Sequence, residues 1–167
     1  MFTDPFGLMC EKIHNTRAPC ELFLAAFSEA NPRHAESESR GIARAIINRA
    51  QDSQHSYGFS NTGSLDADIR GQINAPNQVQ GRGNGEWNKL ETLLSGGQIV
   101  FNPGDANKLG AVVRGVEAAY GNQTDPTNGS TYWDHSPSKA GQGASEKYCA
   151  PTATVTIGSA NFAKCSK

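Results

Sequence analysis

Apolar residues recur with a helical period near the start of the chain. Four positions stand at i, i+3, i+4 and i+7: Leu22, Ala25, Ala26 and Glu29. This spacing places them on one face of a helix and predicts a helix over about 20–30, with Glu29 on or beside the buried face near its end. The Asn31-Pro32 pair that follows predicts a break, because proline disfavours the helical conformation of the residue before it.

Three further helices are predicted by the same period. A helix over about 36–52 has the face Ile42, Ala45, Ile46 and Arg49. A third is marked by Trp87, Leu90, Leu93 and Leu94 and ends at Gly96-Gly97, and a fourth is marked by Leu109, Val112, Val113, Val116 and Tyr120 and ends at Gly121. Glycine is a common residue just past a helix end.

The remaining pattern predicts loops and strands. Residues 53–84 contain the turn signals "NTGS", "NAPN" and "GRGNG" and predict a loop. The stretches "STYWDHS" and "TATVTIG" predict short strands. Helices early in the chain and a small strand region later predict an α+β fold.

Composition narrows the range of functions. The 167 residues correspond to one domain, and their formal net charge is −1. Nucleic acid is not expected as the main partner, because phosphate binding needs a concentrated basic face. No membrane span is expected, since the longest apolar run, Leu22 to Phe27, is far too short. The segment "MFTDPFGLMC" lacks the basic and apolar regions of a signal peptide.

The four cysteines form two local couples in the sequence. They are Cys10, Cys20, Cys149 and Cys165. Pairing within each couple is the simplest of three possibilities, and each short loop contributes roughly 3 kcal/mol in the chain-entropy model. Such bridges persist in an oxidising compartment. Four free thiols are the alternative, and the absence of a CxxC pair argues against a zinc site.

Glu29 is the candidate catalytic residue. A carboxyl group at the end of an apolar helix is partly desolvated, which favours its protonated form. A carboxylic acid that is still protonated near neutral pH can donate a proton to a glycosidic oxygen. A solvated glutamate at a helix end is the ordinary alternative.

Three blocks of sequence resemble the SleB-type cell-wall hydrolases, the family that includes spore-cortex-lytic enzymes. The blocks are "SEANPRHAESESRGIARAIINRA", "DPTNGSTYWDHSPSKA" and "TVTIGSANFAK". They occur in the order of the family and cover about 20–164. The chain departs from the family at the link Arg33–Glu36, which has about one inserted residue, and its central Gln-Phe has no clean match.

The resemblance implies a lysozyme-like fold, mainly helical with a small β region, that acts on peptidoglycan glycan strands without metal or cofactor. It also implies a lytic transglycosylase, in which Glu29 protonates the oxygen leaving MurNAc C1 and then accepts the proton of the C6 hydroxyl. A muramidase-type hydrolase would need a second carboxylate instead. The candidates for it are Glu36, Glu38, Asp66 and Asp134.

Several polar and aromatic residues are candidates for substrate binding. Tyr132 and Trp133 are candidates to stack on sugar faces, and packing in the core is the equal alternative. Gln78 is the candidate for the family's glutamine, with Gln72 next. Gln78 and Asn77 could hydrogen-bond N-acetyl groups, and a turn role is the alternative for Asn77. Asp134 and His135 could orient the substrate or form a surface turn.

The N-terminal "TDPFGL" resembles the junction that closes the core of Rhs-type polymorphic toxins. In that family the toxin is released just after the leucine, which corresponds here to cleavage between Leu8 and Met9. An ordinary β-turn is the alternative. The resemblance implies a leader over 1–17 and a wall-degrading domain over 18–167. It also implies production in the cytoplasm, delivery by an Rhs core and a secretion apparatus, commonly type VI, to the periplasm of a target bacterium, and a cognate immunity protein.

Two other classes of function stay open. "YWDHSPSKAG" resembles the Asp-His-x-x-Pro opening of HNH nucleases, which need a metal, but no histidine follows His135. A glycan-binding module without catalysis is the third possibility. Loss of cleavage on substitution of Glu29, with the fold retained, would exclude it.

Overall fold

The computed structural model describes residues 18–52, 61–75, 78–95, 102–121, 124–135 and 151–165. For 151–154 and Cys165 only the backbone is described. Residues 1–17, with Cys10 and the predicted cleavage junction, lie outside these residues, as do Asn77 and Cys149, so the predictions for them stay untested.

Five α-helices and one 3₁₀ helix form most of the described structure. The α-helices are α1 Cys20–Glu29, α2 Ala35–Gln51, α3 Leu65–Asn74, α4 Gly85–Leu94 and α5 Pro103–Tyr120, and the 3₁₀ helix is Pro32–His34. The predicted helices over 20–30 and 36–52 are confirmed to within a residue. None of the described helices combines the length and the apolar character needed to cross a membrane.

Helix α3 corrects the prediction of an uninterrupted loop over 53–84. Its buried face consists of Ile69 and Ile73, which are both fully buried, together with Asp68 and Gln72. Two apolar residues four positions apart make a weak periodic signal between strong turn signals. The helix forms because this face packs against α1 and α2.

Helix α5 begins at Pro103, six residues before the predicted stretch at Leu109. The extra turn and a half is explained by its N-terminus. Asn102 accepts a hydrogen bond from the backbone N–H of Asp105, Asp105 accepts one in return, and Pro103 stands in the first turn. This capping box satisfies N–H groups that have no partner within the helix.

The core is built around α1, whose residues Leu22 to Phe27 are all buried. Helix α2 packs along α5, and Gly115 allows their close approach, because a Cβ there would overlap Ser39 and the backbone of Glu36. Gly41 likewise leaves room for the ring of Phe162. Burial of each large apolar side chain contributes about 1.5–3 kcal/mol to folding.

The strands form one antiparallel sheet with the order β1-β3-β2. They are β1 Tyr132–Asp134, β2 Pro151–Ile157 and β3 Ala160–Cys165. The predicted strands at "STYWDHS" and "TATVTIG" are confirmed. The chain reverses at Gly158-Ser159, where φ of Gly158 is +61°. Type II′ hairpin turns have glycine with a positive φ at this first central position. The molecule is therefore mainly helical with a small sheet, as the predicted α+β class requires.

Cys20 is buried and disulfide-bonded. The alternative of four free thiols is therefore wrong. Because Cys10, Cys149 and the side chain of Cys165 are outside the described part of the chain, the pairing itself stays a prediction.

Candidate functional site

Glu29 is the last residue of α1, and the chain turns away immediately after it. The backbone N–H of Ala30 caps α1 by donating to the carbonyl of Ala26, and Ala30 itself is extended. Asn31 then starts the 3₁₀ helix by accepting a hydrogen bond from the N–H of Arg33. This abrupt exit leaves the Glu29 side chain half-buried at the edge of the core rather than enclosed by a further helical turn.

The segment 78–84 lies over this end of α1. The backbone N–H of Gly81 donates a hydrogen bond to the Glu29 carboxylate, and the Asn84 side-chain amide donates to the Ser28 carbonyl at 3.4 Å. A Cβ at Gly81 would overlap Ser28 and lie 3.1 Å from Glu29 Oε1. Glycine at 81 is therefore what allows a backbone donor to reach the carboxylate.

Arg49 holds the other end of that segment. Its Nη1 lies 3.2 Å from both the carbonyl and the side-chain oxygen of Gln78, and its Nε donates to the carbonyl of Thr131. The guanidinium also lies over the rings of Tyr132 and Trp133, with 4.7 and 4.8 Å to their centroids. An arginine that is 4% exposed thus joins helix α2 to the 78–84 segment and to β1.

Gln72 and Gln78, the two candidates for the family's glutamine, meet in this cluster. Gln72 Nε2 donates to Gln78 Oε1 at 3.2 Å, and both side chains are buried. Within the described residues, Gln72 Oε1 and Gln78 Nε2 have no hydrogen-bond partner. The contacts that Gln78 makes fix the 78–84 segment, while its predicted role in binding N-acetyl groups stays a prediction.

Asn48 and Asp125 connect α2 to the turn that precedes β1. The Asn48 side chain donates to Asp125 Oδ2 at 3.1 Å and to the Ser130 carbonyl at 2.9 Å. Asp125 also accepts hydrogen bonds from Thr127 and from the N–H of Gly129, at 2.7 to 2.8 Å. Burial raises the pKa of Asp125, but the hydrogen bonds from Thr127, Gly129 and Asn48 outweigh it and hold the pKa below its usual value.

Glu38 lies at a junction of three separate parts of the chain. Its side chain is fully buried. Oε2 accepts a hydrogen bond from the N–H of Asn31 at 2.7 Å, and Oε1 accepts from the N–H and the hydroxyl of Ser159 at 2.6 and 2.7 Å. The buried carboxylate therefore ties the break after α1 to the β2–β3 turn. Three hydrogen bonds, from Asn31 and Ser159, compensate its burial.

Exposed His135 also contacts both the end of α1 and the β2–β3 turn. Its Nε2 lies 2.8 Å from the backbone carbonyl of Glu29, and its Nδ1 lies 3.3 Å from the Ser159 hydroxyl. Since a carbonyl only accepts, Nε2 carries the proton. His135 thus links the end of α1, the end of β1 and the β2–β3 turn.

The other predicted carboxylates contact different partners. Exposed Glu36 pairs with Arg114 at 2.8 Å, and Asp66 accepts a hydrogen bond from the Tyr120 hydroxyl at 2.6 Å. Asp134 is half-buried at the end of β1, opposite Asn161 in β3. None of the hydrogen bonds and ion pairs described here joins Glu29 to Glu36, Asp66 or Asp134.

The two aromatic candidates differ in exposure. Tyr132 is 5% exposed and packs on Arg49, so its ring belongs to the core. Trp133 packs on the same guanidinium but is half-buried. The alternative of core packing thus describes Tyr132 well, while the exposed part of Trp133 stays available for a ligand.

Two cavities lined by described residues do not include Glu29 among their lining residues. The larger, about 740 Å³, lies between the N-terminal part of α2, α5 and the end of β2. The smaller, about 290 Å³, lies between α1, α4 and Arg82-Gly83. Among the described residues, no cluster of three or more His, Cys, Asp or Glu is placed to hold a metal ion.

The three sequence blocks that carry the family resemblance meet at this site. Asn48 and Arg49 of the first block hold the second block through Asp125 and Thr131. β1 of the second block pairs with β3 of the third. Glu38 of the first block binds Ser159 of the third.

Sequence reasoning did not identify Gly81 or Ser159 as site residues. Gly81 was a turn signal among several in "GRGNG", and Ser159 followed a predicted strand. Their partners are Glu29, 52 residues away, and Glu38, 121 residues away. The only local signal at either position was the small size of the residue, which does not indicate a distant partner.

No model of a known protein family matches the chain, and neither a curated protein nor a solved structure matches it.

Proposed function

We propose that this chain is a lysozyme-like peptidoglycan-degrading domain that cleaves the MurNAc–GlcNAc glycan strand, with Glu29 as the general acid and base. The observation that supports this most is the setting of Glu29. A half-buried carboxylate stands at the end of a buried helix and receives a backbone hydrogen bond from Gly81. Glu29 belongs to the first of the three sequence blocks that resemble the SleB-type enzymes, and its backbone carbonyl binds His135 of the second.

The proposed reaction is that of a lytic transglycosylase. Protonated Glu29 donates its proton to the glycosidic oxygen as the bond to MurNAc C1 breaks. The resulting carboxylate then accepts the proton of the MurNAc C6 hydroxyl, whose oxygen bonds to C1 and closes the 1,6-anhydro ring. The acid is regenerated, and no second carboxylate takes part.

The contacts of the other carboxylates favour this single-acid scheme over a hydrolase. Glu36 is paired with Arg114, Glu38 accepts three hydrogen bonds in the core, and Asp66 binds Tyr120. A muramidase would have to free one of these groups, or use Asp134, to attack C1 or to activate water. In the proposed scheme Glu38 positions the chain around Glu29, and Trp133 offers a sugar-stacking surface.

The contacts of His135 argue against the nuclease alternative. Its Nε2 donates to the Glu29 carbonyl, and its Nδ1 lies 3.3 Å from the Ser159 hydroxyl. Metal binding through His135 would break one of these contacts. The full charge balance, 15 basic against 16 acidic residues, also offers little attraction for nucleic acid.

The proposed setting is delivery as the C-terminal tip of an Rhs-type effector into the periplasm of a competing bacterium. It rests on the "DPFGL" junction in the leader. The disulfide at Cys20 fits an oxidising compartment. A cognate immunity protein would protect the producing cell.

The test is mass spectrometry of purified peptidoglycan digested with the protein, with Glu29→Gln and with Glu91→Gln. Glu91 is also a half-buried glutamate near a helix end, in α4, and is the matched control. We expect anhydro-muropeptides from the wild type and the control. For Glu29→Gln we expect a loss of at least about 100-fold, the lower range for removing an acid–base catalyst.

The products separate the alternatives. Reducing-end products would indicate a hydrolase and a second carboxylate. Intact sacculi with the wild type would contradict the proposed function, and DNA cleavage that a chelator inhibits and Mg²⁺ restores would indicate the nuclease. Near wild-type turnover by Glu29→Gln would exclude Glu29 as the acid.

A further inference from the structure

The 740 Å³ cavity is distinct from the Glu29 carboxylate but shares a wall with its surroundings. The 3₁₀ helix Pro32–His34, which follows Glu29 by three residues, forms one side of it. Ala111 and Ala118 of α5 and Ile157 of β2 supply apolar parts of the lining. One wall of the cavity is therefore formed by the short segment that follows Glu29 in the chain.

The polar lining of this cavity is strongly cationic for a chain whose charges nearly cancel. Arg33, Arg40 and Arg114 line it, and Glu36 is the one acidic residue among its lining residues. Arg114 pairs with Glu36 at 2.8 Å, but both side chains are more than half exposed. Such a pair is weak and exchanges readily for another carboxylate.

The guanidinium groups of Arg40 and Arg33 differ in their hydrogen-bond partners. Arg40 Nη2 donates to the carbonyl of Thr124 at 2.7 Å, which fixes the guanidinium, while its Nε is buried and has no partner among the described residues. Arg33 is exposed, and no described residue pairs with its guanidinium. The cavity thus presents one fixed arginine, one with an exchangeable partner and one without any side-chain partner in the described structure.

This lining matches a flexible ligand that has carboxylates separated by aliphatic chain. Arginine binds carboxylates through paired N–H donors, and the apolar residues accommodate methylene groups. The stem peptide of peptidoglycan has this chemistry, since the methylene groups of its glutamate and diaminopimelate residues separate its free carboxylates. It is also attached to MurNAc, the sugar on which Glu29 is proposed to act.

We propose that this cavity binds the carboxylates of the peptidoglycan stem peptide and so selects stem-bearing glycan strands. The selection of glycan strands rests on the proposed function. The binding test does not depend on it, because it measures affinity for the peptide alone. Arg33 is the main recognition residue because its guanidinium has no partner among the described residues, and Arg40 and Arg114 assist.

The binding test uses the isolated stem tetrapeptide, L-Ala-D-Glu-diaminopimelate-D-Ala, titrated into the ¹⁵N-labelled full chain with Glu29→Gln. We expect amide shifts concentrated at 33–40 and 111–118. Affinity should fall about fivefold in Arg33→Gln, the upper range for one exposed ion pair, and further in Arg33→Glu. Lys164→Gln removes one exposed positive charge from β3, outside the cavity, and should leave the affinity unchanged.

The activity test compares intact peptidoglycan with glycan strands from which an amidase has removed the stems. We expect the wild type to cleave stem-bearing strands faster, and Arg33→Glu to reduce the ratio of the two rates. Equal wild-type rates, or unchanged affinity in Arg33→Glu, would overturn the inference while leaving the proposed function intact. No cleavage of either substrate, with the tetrapeptide still bound at the cavity, would overturn the proposed function alone. Binding of an acidic protein there, but not of the peptide, would also overturn the inference.

Discussion

At the scale of single residues, the site depends on how closely the backbone of Gly81 approaches Glu29. The Gly81 N–H donates to the carboxylate, and the absence of a side chain at 81 leaves room for Ser28. A backbone donor has little freedom to move. It therefore orients the carboxylate more firmly than a flexible side chain would.

Gly81→Ala should displace the 78–84 segment from Glu29. The added Cβ would overlap Ser28, so we expect a stability loss of about 1–3 kcal/mol, as for overpacking. We also expect about tenfold or greater loss of the proposed wall-degrading activity. The measurements are urea denaturation and release of soluble muropeptides. Gly85→Ala is the matched control, because nothing lies within 4 Å of its Cβ position. Full activity in Gly81→Ala would show that the Gly81 contact is dispensable.

At the scale of secondary-structure elements, the end of α2 organises the turn that starts the sheet. Asn48 and Arg49 are consecutive, and they bind Asp125, Ser130 and Thr131 in that turn. A short strand such as β1 has little stability of its own. Its position, and with it that of Trp133, therefore depends on these contacts.

The Asp125 turn should make the fold sensitive to acid. Hydrogen bonds hold the pKa of Asp125 below its usual value, despite its burial, so the folded state binds the Asp125 proton less readily than the unfolded chain does. Its stabilisation is complete above the unfolded pKa, about 4, and is lost as pH falls through the lower folded pKa.

Asp125→Asn should reduce this acid sensitivity. Asparagine can still accept the Thr127 N–H, so the turn is expected to form. The fall in Tm between about pH 5 and pH 3 should be smaller in the variant than in the wild type. Equal falls in the two proteins would mean that Asp125 does not contribute to the acid response.

At the scale of the whole molecule, Glu38 connects parts of the chain that are far apart in sequence. One carboxylate binds the break after α1 and the β2–β3 turn, and Ser159 in that turn lies within hydrogen-bonding distance of His135. Gly158 leaves the necessary space, because a Cβ there would lie 2.6 Å from Glu38 Oε1. The buried Glu38 carboxylate therefore joins the segment that follows Glu29 to the β2–β3 turn.

Glu38→Gln should destabilise the fold, because the amide presents an N–H₂ group where the carboxylate accepts hydrogen bonds. We expect a loss of about 1–3 kcal/mol, the cost of unpaired buried donors. Glu36→Gln is the control two residues earlier. It changes an exposed ion pair with Arg114 and should cost less than about 1 kcal/mol. Urea denaturation measures both, and equal losses would contradict the assigned role of Glu38.

Local properties of the sequence determined the helical elements and the location of the candidate acid. The periodic apolar face of α1, the Asn31-Pro32 break and the glycine after α5 each act within a few residues. The first two predicted a helix over about 20–30 with Glu29 near its end, and the structure has a helix over Cys20–Glu29. Where the local signal was weak, as at Ile69 and Ile73, the helix α3 was missed because packing against α1 and α2 stabilises it.

Only the tertiary structure decided which residues surround Glu29. Gly81, His135 and the pair of Glu38 with Ser159 are brought together across 52, 106 and 121 residues. The burial of Tyr132 against Arg49 likewise depends on a contact between α2 and β1. A pairing over such distances has no periodic signature in the sequence, because it results from how the helices and the hairpin pack rather than from the conformational preferences of neighbouring residues.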